Sequence, residues 1–85
     1  MKYIVVNGSY RPDDNLVSMV SAYDDLESAK NCCNENIAED FGYDSYDEFI
    51  KTEFPVCWND DYGVVYRISY DVFEHQEEYK VYELQ

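Results

Sequence analysis

Every second residue from Val64 to Val72 is apolar or aromatic, and this pattern constrains the fold more than any other in the chain. The positions between them include Arg67, Ser69 and Asp71. Because the side chains of a β-strand point alternately to the two faces of its sheet, such a segment buries one face and exposes the other. The pattern predicts a half-buried strand, which is typical of an antiparallel sheet covered on one face.

Three other segments are predicted to be strands. Tyr3–Val6 is rich in β-branched residues, and Leu16–Tyr23 follows it after a turn containing Pro, Asp and Asn. Asn7–Gly8 could instead form a tight turn, but the flanking strands would then be very short, so we expect a bulge there. The last predicted strand, Glu78–Leu84, closes a second hairpin.

The segment between the two hairpins is predicted to begin with a helix. Asp24 is suited to cap it, because Glu27 lies three residues later and can reach back in a capping box. Gly42 is suited to end it in a left-handed conformation. The apolar residues of this helix recur every three or four positions and form one buried stripe: Leu26, Ala29, Cys33, Ile37 and Phe41.

A second, short helix is predicted after Ser45. Ser45 and Glu48 repeat the capping-box spacing, and the helix must end before Pro55. The element order β-β-α-α-β-β predicts an α+β fold, with helix packed on one face of an antiparallel β-sheet. The residues of the short helix that are expected to face inward are Tyr46, Phe49 and Ile50.

The length and composition of the chain predict a single acidic domain spanning residues 1–85. Leu, Ile, Val and Phe make up 20 of the 85 residues. This fraction lies just above the level of about 20% that is typical of disorder in highly charged chains. The ten Tyr residues supply further apolar area, since each aromatic side chain can bury about 150–250 Å². We therefore expect a folded domain with a modest core.

The chain is strongly negative. Nineteen acidic residues against six basic ones give a net charge of −13. Like charges repel one another in a compact state, so this excess does not serve the fold. The most specific explanation for the excess of negative charge is that the protein binds a partner with a basic surface. The alternative explanation is that the charge only keeps the protein soluble. DNA, RNA and anionic lipid surfaces would repel such a protein, so direct binding to nucleic acid or to membranes is not expected.

Cysteine usage and the first residues predict a cytoplasmic protein. Cys32, Cys33 and Cys57 are odd in number, whereas small secreted domains usually carry an even disulfide framework. The residues after Met1 lack the pattern of a signal peptide, and no segment approaches the roughly 20 apolar residues that span a membrane. Cys33 is expected to lie in the core.

Catalysis and metal binding have little support in the sequence. His75 is the one histidine, and it is predicted to lie exposed in a turn at residues 75–77. A cysteine nucleophile needs a positioned base, and no pattern brings a cysteine to His75. Acid-rich segments at 13–15 and 59–61 lack the EF-hand spacing and are better explained as turns. The chain is therefore predicted not to be an enzyme and not to bind a metal ion or a cofactor.

The acids are densest in the middle of the chain, where residues 39–61 carry eight acids and one base, Lys51. Glu35 and Glu39 share one helical face, and carboxylates about one helical turn (roughly 5–6 Å) apart resemble the charges of a nucleic-acid backbone. A Lys- and Arg-lined groove that binds DNA would accept such a surface by the same physics, with aromatic residues as contact anchors. The candidate partner-binding residues are Glu39, Asp40, Tyr43, Asp44, Tyr46, Asp47, Glu48, Glu53, Trp58, Asp60 and Asp61.

In its small size, its net charge and its acidic stretch with interleaved Tyr and Trp, the chain resembles phage-encoded anti-defence proteins. These include DNA-mimicking anti-CRISPR and anti-restriction proteins. The resemblance implies an inhibitor that occupies the nucleic-acid channel of a host nuclease complex, a Cas-type or restriction protein, in the cytoplasm of the host cell.

A regulatory or oligomerisation module with a merely solvated acidic surface is the alternative hypothesis. The exposed apolar residues expected on the last strand, Tyr82 and Leu84, could then pair with the edge of another chain. The chain is accordingly expected to be a monomer or a homodimer.

Overall fold

The chain folds into an antiparallel sheet with helices on one face. A computed structural model describes residues 2–58 and 63–84, apart from the side chain of Trp58, and within these residues it contains five strands and two helices. The strands form one sheet in the spatial order β2-β1-β5-β4-β3. The predicted α+β fold is confirmed, and β3 is an additional strand that no sequence pattern indicated. In chain order the elements are β1 (Tyr3–Arg11), β2 (Asp14–Tyr23), α1 (Leu26–Asp40), α2 (Tyr46–Thr52), β3 (Val56–Trp58), β4 (Val64–Val72) and β5 (His75–Glu83).

The last strand, β5, lies in the middle of the sheet. It pairs with β1 on one side and with β4 on the other, so both of its hydrogen-bonding edges are occupied. Beyond the strand, the Leu84 N–H donates to the Lys2 carbonyl at 2.8 Å. The expectation that Tyr82 and Leu84 offer a free edge is therefore wrong. The strands at the two ends of the sheet are β2 and β3.

The opening hairpin turns at Pro12–Asp13, and β1 continues unbroken through Asn7–Gly8. The bulge predicted at Asn7–Gly8 is not there. The register of the β1–β2 pair shifts between Val5 and Val6 instead, and Val20 of β2 is the extra residue. An extra residue on the edge strand disturbs one hydrogen-bond ladder, whereas at Asn7–Gly8 it would disturb two.

Asp25 caps α1, one residue later than the predicted cap Asp24. Its carboxylate accepts hydrogen bonds from the backbone N–H and from the hydroxyl of Ser28, each at 2.9 Å. These two bonds from one residue favour Asp25 as the cap, and they lower the pKa of its carboxyl. Ser45 caps α2 as predicted, since its hydroxyl accepts the Glu48 N–H at 3.2 Å.

Gly42 ends α1 as predicted, with a φ of 85° in the left-handed region. Its N–H donates to the Glu39 carbonyl and the Tyr43 N–H donates to the Ala38 carbonyl, both at 3.0 Å. This pair of bonds is a Schellman motif. The motif reverses the chain at the end of α1, so that α2 begins beside it.

The apolar stripe of α1 lies at the centre of the core, as predicted. Ala29, Cys33 and Ile37 are fully buried, and Leu26 and Phe41 pack half-buried at the two ends of the stripe. Burial raises the pKa of the Cys33 thiol to about 12, so this cysteine stays protonated.

Phe49 packs α2 against the core. It is fully buried, and its ring stacks with Phe41 and meets Tyr43 and Tyr70 edge-on. Ile50, which was predicted to face inward, is 39% exposed. The reason is geometric, since consecutive residues of an α-helix point about 100° apart and Phe49 takes the inward direction.

His75 lies in β5 and not in a turn, because the second hairpin turns at Phe73–Glu74. The expectation of an exposed histidine is also wrong. The side chain of His75 is 21% exposed, its ring centroid lies 4.9 Å from that of Phe41, and its Nε2 lies 2.6 Å from the Glu77 carboxylate.

Candidate interaction site

An open groove runs along the outer side of α1 and the start of α2. It consists of two adjoining cavities of about 520 and about 290 Å³, which share Glu35, Ser45 and Tyr46 in their walls. Together the two cavities form the acidic groove of the protein. Its charged and aromatic wall residues are Glu35, Glu39, Tyr43, Asp44, Tyr46 and Asp47.

Local structure explains how the four carboxylates come together. The buried stripe of α1 faces the sheet, so Glu35 and Glu39 project from the exposed side of the helix, one turn apart. The Schellman motif then reverses the chain, and the cap of α2 follows at Ser45. Asp44 and Asp47 therefore flank the start of α2 and face the last turns of α1.

The acids of the groove are not neutralised within the protein. In residues 2–58 and 63–84, the carboxylates of Glu35, Glu39, Asp44 and Asp47 have no Lys, Arg or His nitrogen within 4.0 Å. The side chains of Arg67 and Lys80 lie 3.7 Å from Glu78 on the sheet, and Lys30 lies 4.0 Å from Glu27. The groove therefore presents uncompensated negative charge to solvent.

Two acids of the predicted set, Glu53 and Asp40, accept hydrogen bonds from tyrosine hydroxyls of the same chain. The Glu53 carboxylate accepts hydrogen bonds from the hydroxyls of Tyr43 and Tyr70, and these bonds lower its pKa. The Asp40 carboxylate accepts the Tyr79 hydroxyl at 2.5 Å. Burial raises the pKa of Asp40, and the Tyr79 hydrogen bond offsets part of that rise.

The structure thus brings together five of the eleven predicted partner-binding residues in one groove: Glu39, Tyr43, Asp44, Tyr46 and Asp47. Glu48 is exposed in the first turn of α2 beside them. Asp60, Asp61 and the side chain of Trp58 lie outside the described residues. Glu35 belongs to the groove but was left out of the predicted set, although its spacing of four from Glu39 was the signal that could have included it.

Tyr43 and Tyr46 give the groove an aromatic wall. The hydroxyl of Tyr43 is bonded to Glu53 at 2.5 Å, which leaves its ring edge as the contact surface. Tyr46 is half-buried against the core, its hydroxyl lies beside Cys57 and Tyr66, and burial raises its pKa. The groove therefore offers carboxylate acceptors and limited apolar area.

Two kinds of feature are absent from the described part of the chain. It holds no group of three or more His, Cys, Asp or Glu residues arranged to bind a metal ion. Neither of its helices has the length and apolar character needed to cross a membrane.

Comparisons with protein-family models, with curated protein sequences and with solved structures found no match to this chain.

Proposed function

We propose that the acidic groove binds the basic, nucleic-acid-binding surface of another protein and inhibits that protein by taking the place of DNA or RNA backbone. The observation that carries the proposal is the set of four solvent-facing carboxylates, Glu35, Glu39, Asp44 and Asp47, which have no basic partner in residues 2–58 and 63–84. The partner class is a nuclease complex of the Cas or restriction type, in keeping with the resemblance to phage anti-defence proteins.

Electrostatics supports a basic partner on two length scales. At contact distance, Lys and Arg side chains that normally bind phosphates can form charge-assisted hydrogen bonds with these carboxylates. At longer range, the net charge of −13 steers a positively charged channel toward the protein and raises the association rate. Tyr43 and Tyr46 add the aromatic contact area that is enriched in the energetically dominant parts of interfaces.

The groove is also pre-organised. The Schellman motif at Gly42, the Ser45 cap and the Tyr43–Glu53 hydrogen bond fix the chain between the two helices before any partner arrives. A surface that is ordered in the free protein loses less conformational entropy on binding. This favours a stoichiometric inhibitor over a segment that folds on its target.

The test compares two charge reversals of equal size. The double variant Glu35→Lys/Glu39→Lys reverses the groove wall, and Asp71→Lys/Glu74→Lys makes the same charge change on the exposed β4–β5 hairpin. Each protein is immobilised and exposed to a lysate of host cells that contain nuclease complexes. Bound proteins are eluted with rising NaCl and, in parallel, with duplex DNA, and are then identified.

We expect wild type and the hairpin variant to retain the same nucleic-acid-binding protein, which either salt or DNA releases, and the groove variant to lose it. The purified partner should also lose labelled DNA when the wild-type chain is added. Equal retention by the groove variant, or retention that DNA does not compete, would contradict the proposal.

A further inference from the structure

β2 is an edge strand that has almost no charged side chains to prevent it from pairing with another chain. The nine residues from Asn15 to Tyr23 carry no charge, although 25 of the 85 residues of the chain are charged. Every residue from Asp14 to Val20 is exposed. Natural edge strands usually carry Lys, Pro or inward-pointing charges that prevent pairing with another chain. In β2 the only charged residue is Asp14, at its first position.

The same strand carries most of its apolar side chains on the surface. Leu16 is 58% exposed, Val17 62%, Met19 67% and Val20 40%. One hydrogen-bonding edge of β2 pairs with β1, and the other faces away from the sheet. Backbone groups that point outward from an edge strand can pair with another strand, and here apolar side chains flank them on both faces.

We infer that β2 pairs antiparallel with β2 of a second copy of this chain, about a two-fold axis, so that one sheet continues across both copies. Charge determines where two copies can meet. Two copies that each carry −13 repel one another over most of their surfaces, and they can approach closely only where charge is absent. Asn15–Tyr23 is such a place on both copies at once, because a two-fold interface joins a patch to itself.

The residue order of β2 fits this self-pairing. In a register centred on Ser18, Val17 lies opposite Met19 of the second copy, and Leu16 lies opposite Val20, each contact occurring twice. Asp14 then lies opposite Ala22, so no acid of the strand faces an acid across the axis. A partner with a charged edge would lose these apolar contacts, and an unrelated neutral strand would lack this double complementarity.

Dimerisation through β2 is independent of the proposed function, and the two kinds of binding are expected to respond to salt in opposite directions. Added salt screens the repulsion between two −13 copies and strengthens the dimer, whereas it weakens binding of the acidic groove to a basic partner. The groove is built from α1 and the start of α2 and includes no residue of β2.

The test is sedimentation equilibrium of the full chain from micromolar to millimolar concentration, at low and at high NaCl. The variants Val17→Lys and Met19→Lys each place a charge in the pairing surface. The control is Val56→Lys, the same substitution at a similarly exposed position (58%) on β3, at the opposite end of the sheet. Circular dichroism and thermal unfolding establish that each variant is folded.

We expect wild type and Val56→Lys to reach twice the monomer mass as concentration rises, at lower concentration when salt is high. Val17→Lys and Met19→Lys should raise the dissociation constant of the dimer at least about tenfold, since each copy would bury a charge against apolar neighbours. The inference is overturned if wild type stays monomeric at millimolar concentration and high salt, or if Val17→Lys and Val56→Lys dimerise equally.

Discussion

The hydroxyl of Tyr79 donates a hydrogen bond of 2.5 Å to the carboxylate of Asp40 and so joins the middle of β5 to the last residue of α1. Tyr79 is 4% exposed, and its ring belongs to the core. Burial raises the pKa of Asp40, and nearby Glu77 and Glu39 add to the rise, while the Tyr79 hydrogen bond opposes it. The bond therefore favours the ionised form of an acid at the exposed end of α1.

Tyr79→Phe is expected to lower the free energy of unfolding by about 1–2 kcal/mol, because it removes a hydrogen bond to a charged acceptor but keeps the ring. The pKa of Asp40 should rise further, which a carboxyl titration by NMR would record. The control is Tyr82→Phe on the same strand, whose hydroxyl makes no hydrogen bond within the described residues. Equal urea-unfolding free energies for the two variants would show that the Asp40 bond contributes nothing.

Glu77 is a buried acid of the sheet, at 5% exposure. Its carboxylate accepts hydrogen bonds from Ser9 and His75 at 2.6 Å and from Asn7 at 3.1 Å. Burial by itself would raise the pKa of Glu77, but the bonds from Ser9, His75 and Asn7 outweigh it and the pKa is lowered. A buried charge is tolerated here because each oxygen has a donor.

Glu77→Gln is therefore expected to lower the free energy of unfolding at pH 7 by about 1–3 kcal/mol. Because the folded-state pKa lies below the unfolded value of about 4.3, the contribution of the carboxylate is present above that pH. It is lost as the pH falls through the folded pKa. Urea unfolding at pH 7 and at decreasing pH should show wild type converging on the variant, while Glu74→Gln in the exposed turn should match wild type throughout.

Patterns that depend on neighbouring residues were predictable from the sequence. The α1 stripe ending at Phe41 and the caps at Ser45 and Gly42 each depend on spacings of a few positions, and each is confirmed in the structure. The alternation in β4 is confirmed from Val64 to Ile68 only, since Ser69 is buried and Val72 is 44% exposed. The acidic groove was predictable in part for the same reason, since its acids lie on two consecutive helices joined by a short loop.

Features that depend on distant partners were not predictable. Glu77 is buried because Asn7 and Ser9, about seventy residues away in sequence, supply its donors, and without them residues 75–77 resemble a turn. The central place of β5 likewise depends on its pairing with β1. Asp40 and Glu53 were predicted to contact a partner, but in the structure their carboxylates accept hydrogen bonds from tyrosine hydroxyls of the same chain.

Glu53, at the end of α2, accepts hydrogen bonds from the hydroxyl of Tyr70 in β4 and from that of Tyr43 in the loop before α2. The bonds from Tyr43 and Tyr70 lower its pKa, and the pKa of Tyr70 is raised to about 12 by the same contact. Since the folded pKa of Glu53 lies below its unfolded value, its contribution is present above that value and is lost as the pH falls through the folded pKa.

Glu53→Gln is expected to lower the thermal midpoint by a few degrees at neutral pH and to make the midpoint less sensitive to acid than that of wild type. Glu74→Gln, in the exposed turn between β4 and β5, is the control and should follow wild type at every pH. Differential scanning calorimetry between neutral and acid pH makes the comparison. A Glu53→Gln midpoint that falls in parallel with that of wild type would exclude this role.

Glu39 occupies a position on α1 that is unfavourable for the helix. It lies in the last turn, where the helix dipole is negative and no basic residue is present, and it lies four residues after Glu35. Glu39→Lys removes the repulsion, places a cation at the negative end and forms an oppositely charged pair with Glu35. It is expected to raise the free energy of unfolding by about 1 kcal/mol.

The same substitution at the other end of α1 should have the opposite sign. Glu27 lies in the first turn, where an acid is favourable, and 4.0 Å from Lys30, so Glu27→Lys is expected to destabilise the protein by about 0.5–1 kcal/mol. Urea unfolding of both variants at low salt measures the difference, and high salt should reduce it. If Glu39→Lys stabilises the fold and also abolishes partner binding, the acid at position 39 is retained for binding at the expense of helix stability. If it does not stabilise the fold, the charge of Glu39 does not destabilise α1, and the electrostatic explanation for Glu39 is contradicted.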